Sequence, residues 1–192
     1  MSCRERTDAL ETEYAVVGRV ADVAVGHNAF GIGFERFVLG FLLDGALIAA
    51  SHRLHLMSRG RFALRRAKEC TDQRMAAGLD LEVYDAHTGT MRAVKTLSGG
   101  QGFVASLSLA LGLADVLQAY AGGVKLDTVF VDEGFGSLDS ESLNLAFRTL
   151  VDLQGGGRVV GVISHVPELK ERIDVRLEVT PGKRGSEVRF VM

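Results

Sequence analysis

The stretch Thr128-Val129-Phe130-Val131-Asp132-Glu133-Gly134-Phe135-Gly136-Ser137-Leu138-Asp139 decides the architecture of this chain. Residues 128–131 read as a short buried strand. The strand ends in two adjacent carboxylates, and in open α/β sheets ligands bind at that C-terminal edge. Neighbouring acids repel unless a cation lies close by. Asp132 is placed to hold Mg²⁺, directly or through water. Glu133 can then polarise an attacking water as a general base. The plainer alternative is a strand that closes in a solvated acidic turn.

Upstream, Leu97-Ser98-Gly99-Gly100-Gln101 opens a helix expected over residues 102–120. This helix is apolar on most sides and is expected to be buried. Its two glycines let a backbone approach phosphate closely. The helix N-terminus favours an anion, and Ser98 adds a hydroxyl. An ordinary Gly-rich turn is the alternative. Downstream, Asp139 is a plausible N-cap for a helix over residues 140–153. It could also touch a second subunit near a nucleotide. A second buried strand, 158–163, ends in Ser164-His165, where a histidine can donate to a terminal phosphate or serve as a plain surface or core residue.

The rest of the chain fits one compact α/β lobe. Residues 8–24 are helical, with Leu10, Tyr14, Val17 and Ala21 on one stripe. Gly26-His27-Asn28 breaks that helix, and a long helix follows over Phe34–Met57. Gly60 closes it, and a charged segment runs to Lys68. Past Gly78, alternation over 79–84 and a return over 91–94 predict a strand pair turning at Thr88-Gly89. Gly122-Gly123 and Gly155-Gly156-Gly157 bracket the central strands. Segments 173–180 and 187–191 form a closing hairpin around Pro181-Gly182. Arg53, Arg59, Arg61, Arg65 and Arg66 read first as a solvated helix end, with a DNA-phosphate contact or a link to residues 97–101 as the alternatives.

Bulk properties narrow the class. The 192 residues carry a net charge of −2, so no global field selects nucleic acid. Cys3 and Cys70 form no metal pattern, which suits a reducing compartment. Residues 1–13 are polar and charged, unlike a secretory signal. The apolar stretch 37–50 is too short for a membrane span of roughly 20 residues and reads as a buried helix. A hydrophobic share of 47% is rich for a free domain and suits a half-domain with faces awaiting a partner.

Taken in order, these elements resemble the ABC ATPase superfamily: signature motif at Ser98, Gly99, Gly100 and Gln101, Walker B at Asp132 and Glu133, D-loop at Ser137-Leu138-Asp139, and switch histidine at His165. The Gly134-Phe135-Gly136 turn after the acids is similar to that of the SbcC-type DNA-repair ATPases of the Rad/SMC group. Phe34-Glu35-Arg36-Phe37-Val38-Leu39 and Met57-Ser58-Arg59-Gly60-Arg61-Phe62 also resemble that family's C-terminal lobe.

The resemblance implies an α/β fold: the C-terminal lobe of an ABC-ATPase head, with parallel core strands flanked by helices, a β-hairpin and an N-terminal coiled-coil stub. It implies a coiled-coil base helix over 1–25 and the lobe over 26–192. It makes Glu133 and His165 catalytic, Asp132 the metal ligand, and Ser98, Gly99, Gly100, Gln101 and Asp139 nucleotide-binding, with ATP and Mg²⁺ as cofactors. Implied partners are an N-terminal P-loop lobe, a second head in a homodimer, an SbcD-type nuclease and DNA, in the cytoplasm and without a membrane. The role is ATP-dependent processing of double-strand DNA ends by an ATPase subunit of an exonuclease.

No G-x-x-x-x-G-K-[ST] loop is present, because Lys95, Lys125 and Lys183 lack the glycine spacing. The chain alone is therefore expected to be inactive. His52, His55 and His87 lack a convincing set of carboxylate partners for a nuclease metal site. Two other readings stay open: a transporter-type nucleotide-binding lobe, and a non-catalytic structural or DNA-binding remnant.

Overall fold

A computed structural model describes residues 3–29, 31–67, 79–120, 122, 126–155, 157–182 and 185–192. Lys68, Cys70, Gly78, Gly123, Lys125, Gly156 and Lys183, invoked above, lie outside the described residues. The chain folds as two compact units. One comprises Met1–Leu97 with Val104–Val124, the other Ser98–Phe103 with Lys125–Met192.

The first unit begins with helices α1 (Cys3–Val25) and α2 (Phe34–Met57). A three-stranded antiparallel sheet follows, in the order β1 (Phe62–Arg66), β2 (Leu81–Asp85), β3 (Thr90–Ala93). The body of α3 (Gly99–Tyr120) completes the unit. Helix α2 buries Ala46, Leu47, Ala50, Leu54 and Met57, spaced to share one face. It meets the face of α3 that carries Gly112: a Cβ at Gly112 would strike the Ala46 carbonyl oxygen and lie 2.8 Å from the Ala50 nitrogen. Only glycine permits this backbone-to-backbone approach. The buried Ser108 hydroxyl donates to the Val104 carbonyl at 2.7 Å and so is satisfied.

Residues 37–50, expected to be buried, sit inside a 24-residue helix, yet Phe37, Val38, Leu39, Phe41 and Ile48 are exposed. Helix α3 likewise buries one face and exposes Leu113, Leu117 and Tyr120. By length and apolarity alone both helices could cross a membrane, but their tight mutual crossing and the Arg53–Asp115 ion pair at 2.6 Å are features of packed core helices.

The arginine segment is the larger correction. Residues 62–66 form a strand with Phe62 and Leu64 buried, and Arg53, Arg61 and Arg66 are ion-paired rather than solvated, while Arg65 stays exposed over the Tyr84 ring. Arg61 donates through Nε and Nη2 to Asp85 at 3.0 and 2.9 Å, and Arg66 holds Asp44 in the same forked way at 2.8 and 2.6 Å. Asp85 is buried beneath Arg61 and Arg92, and the Arg61 hydrogen bonds hold its carboxyl below the usual range. Alternation of Phe62 and Leu64 marked the strand, but the run of positive charge concealed it.

The second unit holds a two-stranded parallel pair, β4 (Thr128–Asp132) and β5 (Val159–Ile163), with helix α4 (Ser140–Gly155) packed on it. A short helix α5 (Pro167–Lys170) and the hairpin β6 (Arg176–Gly182)–β7 (Gly185–Val191) follow. Val129 and Val131 pair with Val160 and Val162 on the covered face of the strands. The other face is open, with Phe130 72%, Val159 62% and Ile163 54% exposed. Both strands were expected to be buried. Parallel strands need cover on both faces, and among the described residues it is supplied on one. The hairpin is similarly one-sided, since Leu177, Val179, Val188 and Phe190 pair across the strands yet stay exposed. On its opposite face Glu178 gathers Lys170, Arg176 and Arg189 within 3.2 Å, which pulls its carboxyl down to about 2, Lys170 contributing most.

Gly112→Val should destabilise the fold by about 1–3 kcal/mol, because backbone atoms cannot yield to the added carbons; urea unfolding monitored by circular dichroism measures it. Because the folded pKa of Glu178 lies below its unfolded value, its contribution is complete above the ordinary Glu range near 4.3 and is lost as pH falls towards 2. Between pH 5 and 2.5 the wild type should therefore lose more stability than Glu178→Gln, read as urea midpoints at each pH.

Candidate functional site

All eight candidate residues fall in the second unit. Parallel pairing in the register Asp132↔Ile163 brings the C-terminal ends of β4 and β5 to one edge. The Glu133 N–H extends the ladder by donating to the Ile163 carbonyl at 2.9 Å. The chain then reverses through two left-handed residues, Glu133 at φ 56° and Gly134 at φ 94°. A glutamate in this region costs about 1–2 kcal/mol, and such strain gathers where a side chain has to be aimed. Here the Glu133 carboxylate is aimed at His165, Oε2 to Nδ1 at 2.9 Å. The histidine ring is 79% exposed and Glu133 49%, so the pair opens to solvent. Ser164 Oγ accepts the Val166 N–H at 3.2 Å and so shapes the turn that carries His165.

Asp132 is exposed beside this pair, and its carboxylate forms no ion pair among the described residues. Among those residues no three His, Cys, Asp or Glu side chains cluster as a metal cage. An exposed aspartate with a second carboxylate next to it fits Mg²⁺, which keeps several waters and takes one or two carboxylates along with phosphate oxygens.

The Gly-rich helix start forms a second constellation. Helix α3 begins at Gly99, three residues earlier than its apolar pattern indicates, because Ser98 and Gln101 cap it reciprocally. The Gln101 N–H donates to Ser98 Oγ at 3.4 Å, and the Ser98 N–H donates to Gln101 Oε1 at 3.3 Å. This is a capping box. It leaves the Gly99 and Gly100 N–H groups, which have no partner within a helix, at the positive end of α3. The Ser98 hydroxyl accepts within the box and keeps its own proton to donate. A ring of donors of this kind suits a phosphate.

Between the two constellations lies the turn 134–138. Its Phe135 is fully buried and meets Phe103 edge-on, centroids 4.9 Å apart. Asp139 then caps α4: its Oδ1 accepts the Ser142 N–H at 2.7 Å, and its Oδ2 the Ser142 hydroxyl at 3.1 Å. Phe103 and Phe135 were not singled out from sequence. An aromatic two residues past Gln101 and another inside Gly-Phe-Gly gave no sign that they would meet.

A parallel pair with acids after one strand and a histidine after the next, joined through a helix capped by Asp139 and preceded by a glycine-led helix, is the arrangement of the C-terminal lobe of an ABC-type ATPase head. Similarity to known proteins narrows that class. The family described as SbcC/RAD50-like, Walker B motif, matches residues 68–152. The chain is 55% identical over 187 residues to the SbcC subunit of nuclease SbcCD from Vibrio cholerae, across 97% of this chain and 18% of the relative. It is 43% identical over 174 residues to the protein of the same name from Staphylococcus saprophyticus, across 91% of this chain and 17% of the relative.

Two solved structures share the fold with a TM-score of 0.63 at 15% identity. One, from work on ATP-driven dimerization and DNA-stimulated activation of SMC ATPases, is matched over 82% of this chain and 89% of its own. The other, an Smc head domain with an extended coiled coil from Pyrococcus furiosus, is matched over 98% and 43%. The chain belongs to the SbcC/RAD50-like family and carries its Walker B segment. Walker B elements in general serve nucleotide and Mg²⁺. The chain spans about a fifth of the length of the curated relatives it matches.

The Asp139 cap gives a direct test of its structural part. Asp139→Ala should cost about 1 kcal/mol of stability, measured by thermal unfolding, whatever further role the carboxylate has.

Proposed function

We propose that this chain is the C-terminal half of the ATPase head of an SbcC-like protein that processes double-strand DNA ends. Asp132 holds Mg²⁺, which supplies charge neutralisation to the phosphates when bound. Glu133 is the general base that orients and deprotonates the attacking water, and His165 donates to the terminal phosphate. Ser98, Gly99, Gly100 and Gln101 offer their donors to ATP held by a second head, and Asp139 approaches the same interface. The phosphate loop comes from an N-terminal lobe, since the sequence has no G-x-x-x-x-G-K-[ST]. Residues 1–25 form the base of a coiled coil and 26–192 the lobe. An SbcD-type nuclease and DNA are the partners, and the setting is cytoplasmic.

The observation that carries this reading is the Glu133–His165 contact at the shared edge of β4 and β5. A base and a phosphate donor from successive strands converge there, next to an exposed carboxylate. The open faces of β4, β5 and the hairpin support the need for a second lobe. The chain by itself is accordingly expected to bind ATP weakly and to self-associate. Glu133→Gln in a head assembled with its P-loop lobe should leave ATP binding intact and slow hydrolysis by about 10²–10⁴-fold in single-turnover assays. An unchanged rate would remove Glu133 from the role of base.

A further inference from the structure

The signature glycines are not equivalent. A Cβ at Gly99 would make only ordinary contact, 3.9 Å from the Ser137 Cβ. A Cβ at Gly100 would lie 2.5 Å from the Ser137 carbonyl oxygen and 3.3 Å from a Leu138 methyl. The Ser137 carbonyl is backbone, in a turn tied internally by the Ser137 hydroxyl to the Gly134 carbonyl at 2.8 Å and by the Leu138 N–H to the Phe135 carbonyl at 3.1 Å. It has little freedom to give way. On the other flank, a Cβ at Gly134 would overlap the Cδ2 and Cε2 edge of the Phe103 ring. The φ of 94° at Gly134 separately demands glycine. Phe103 therefore seats on a glycine and against the edge of Phe135, while Gly100 seats on Ser137. Residues 98–103 accordingly belong to the unit of β4 and α4, apart from the rest of their own helix.

We propose that Phe103 and Gly100 are positioning residues that clamp the signature turn to the 134–138 turn of the same head. Resting on the function proposed above, the clamp couples two sites. The turn that follows Asp132 and Glu133 senses the nucleotide of its own head. The turn 98–101 presents donors to the nucleotide of the opposite head. A rigid contact between them conveys the state of one nucleotide to the other, because an aromatic edge contact and a backbone approach have no soft intermediate arrangement. Gly100 is glycine for this packing. Gly99, which has room for a methyl on its own side, is glycine for what approaches from outside.

Two measurements test this. In the first, deuterium uptake is followed by mass spectrometry on the chain alone. Phe103→Leu and Gly100→Ala should each raise the initial uptake of residues 134–138 at least about threefold while leaving α2 and β1 unchanged. Phe103→Tyr, which keeps the ring edge, should restore the wild-type rate, and Gly99→Ala should leave this segment as it is. Unchanged uptake at 134–138 in Phe103→Leu, or an equal rise across α2, overturns the clamp.

In the second, the head is assembled with its P-loop lobe. Phe103→Leu should leave the ATP dissociation constant of a single head within about twofold and weaken ATP-dependent head association about tenfold. Equal losses in both overturn the coupling. Wild-type heads that bind ATP without associating overturn the proposed function instead, and the uptake measurement still decides whether the clamp exists.

Discussion

The parallel pairing of β4 with β5, from Thr128↔Val159 to Asp132↔Ile163, is the constraint on which the rest of the site depends. Parallel strands deliver their C-terminal ends to the same edge, so residues thirty-odd positions apart in sequence become neighbours without a dedicated loop. A slip of one residue would turn Val129 and Val131 to the open face and carry Glu133 away from His165. The Glu133 N–H, bonded to the Ile163 carbonyl, closes the ladder and sets the point where the chain leaves the sheet.

The departure from the sheet is costly in backbone terms and offset by packing. Two successive left-handed residues, one of them a glutamate, are held because Phe135 is driven into the core immediately afterwards and because Phe103 fills the space left by the absent side chain of Gly134. The site is thus braced from below by apolar contacts while its carboxylates and imidazole stay exposed. A rigid floor beneath polar groups that face solvent is the arrangement that preorganises charge for a ligand.

The first unit uses charge differently. Asp85, Asp44 and Asp115 each take an arginine, and two of the three pairs are forked. Guanidinium groups also lie over Phe62 and Tyr84. A segment whose charge reads as a solvated helix end is largely taken up by internal structure, tying the sheet and α3 to α2. The apolar surface left over lies on α2, on the strand pair and on the hairpin.

The sequence by itself determined the order of the chemical elements: a glycine-led helix, an apolar strand ending in Asp132-Glu133, the Asp139 cap and a strand ending at His165. It also determined the main helices and the closing hairpin, because these depend on local periodicity and turn residues. Tertiary structure alone decided which faces stay open, which arginines are paired, and why Gly100 and Gly134 are glycine. Periodicity reports that a face is apolar but cannot report whether anything covers it. Spacing along the chain cannot show that Phe103 meets Phe135, or that Asp85 waits for Arg61, since those contacts arise only when separate elements pack. The Asp132-Glu133 turn was legible from the start; that its carboxylate is aimed by a strained backbone braced against Phe103 was not.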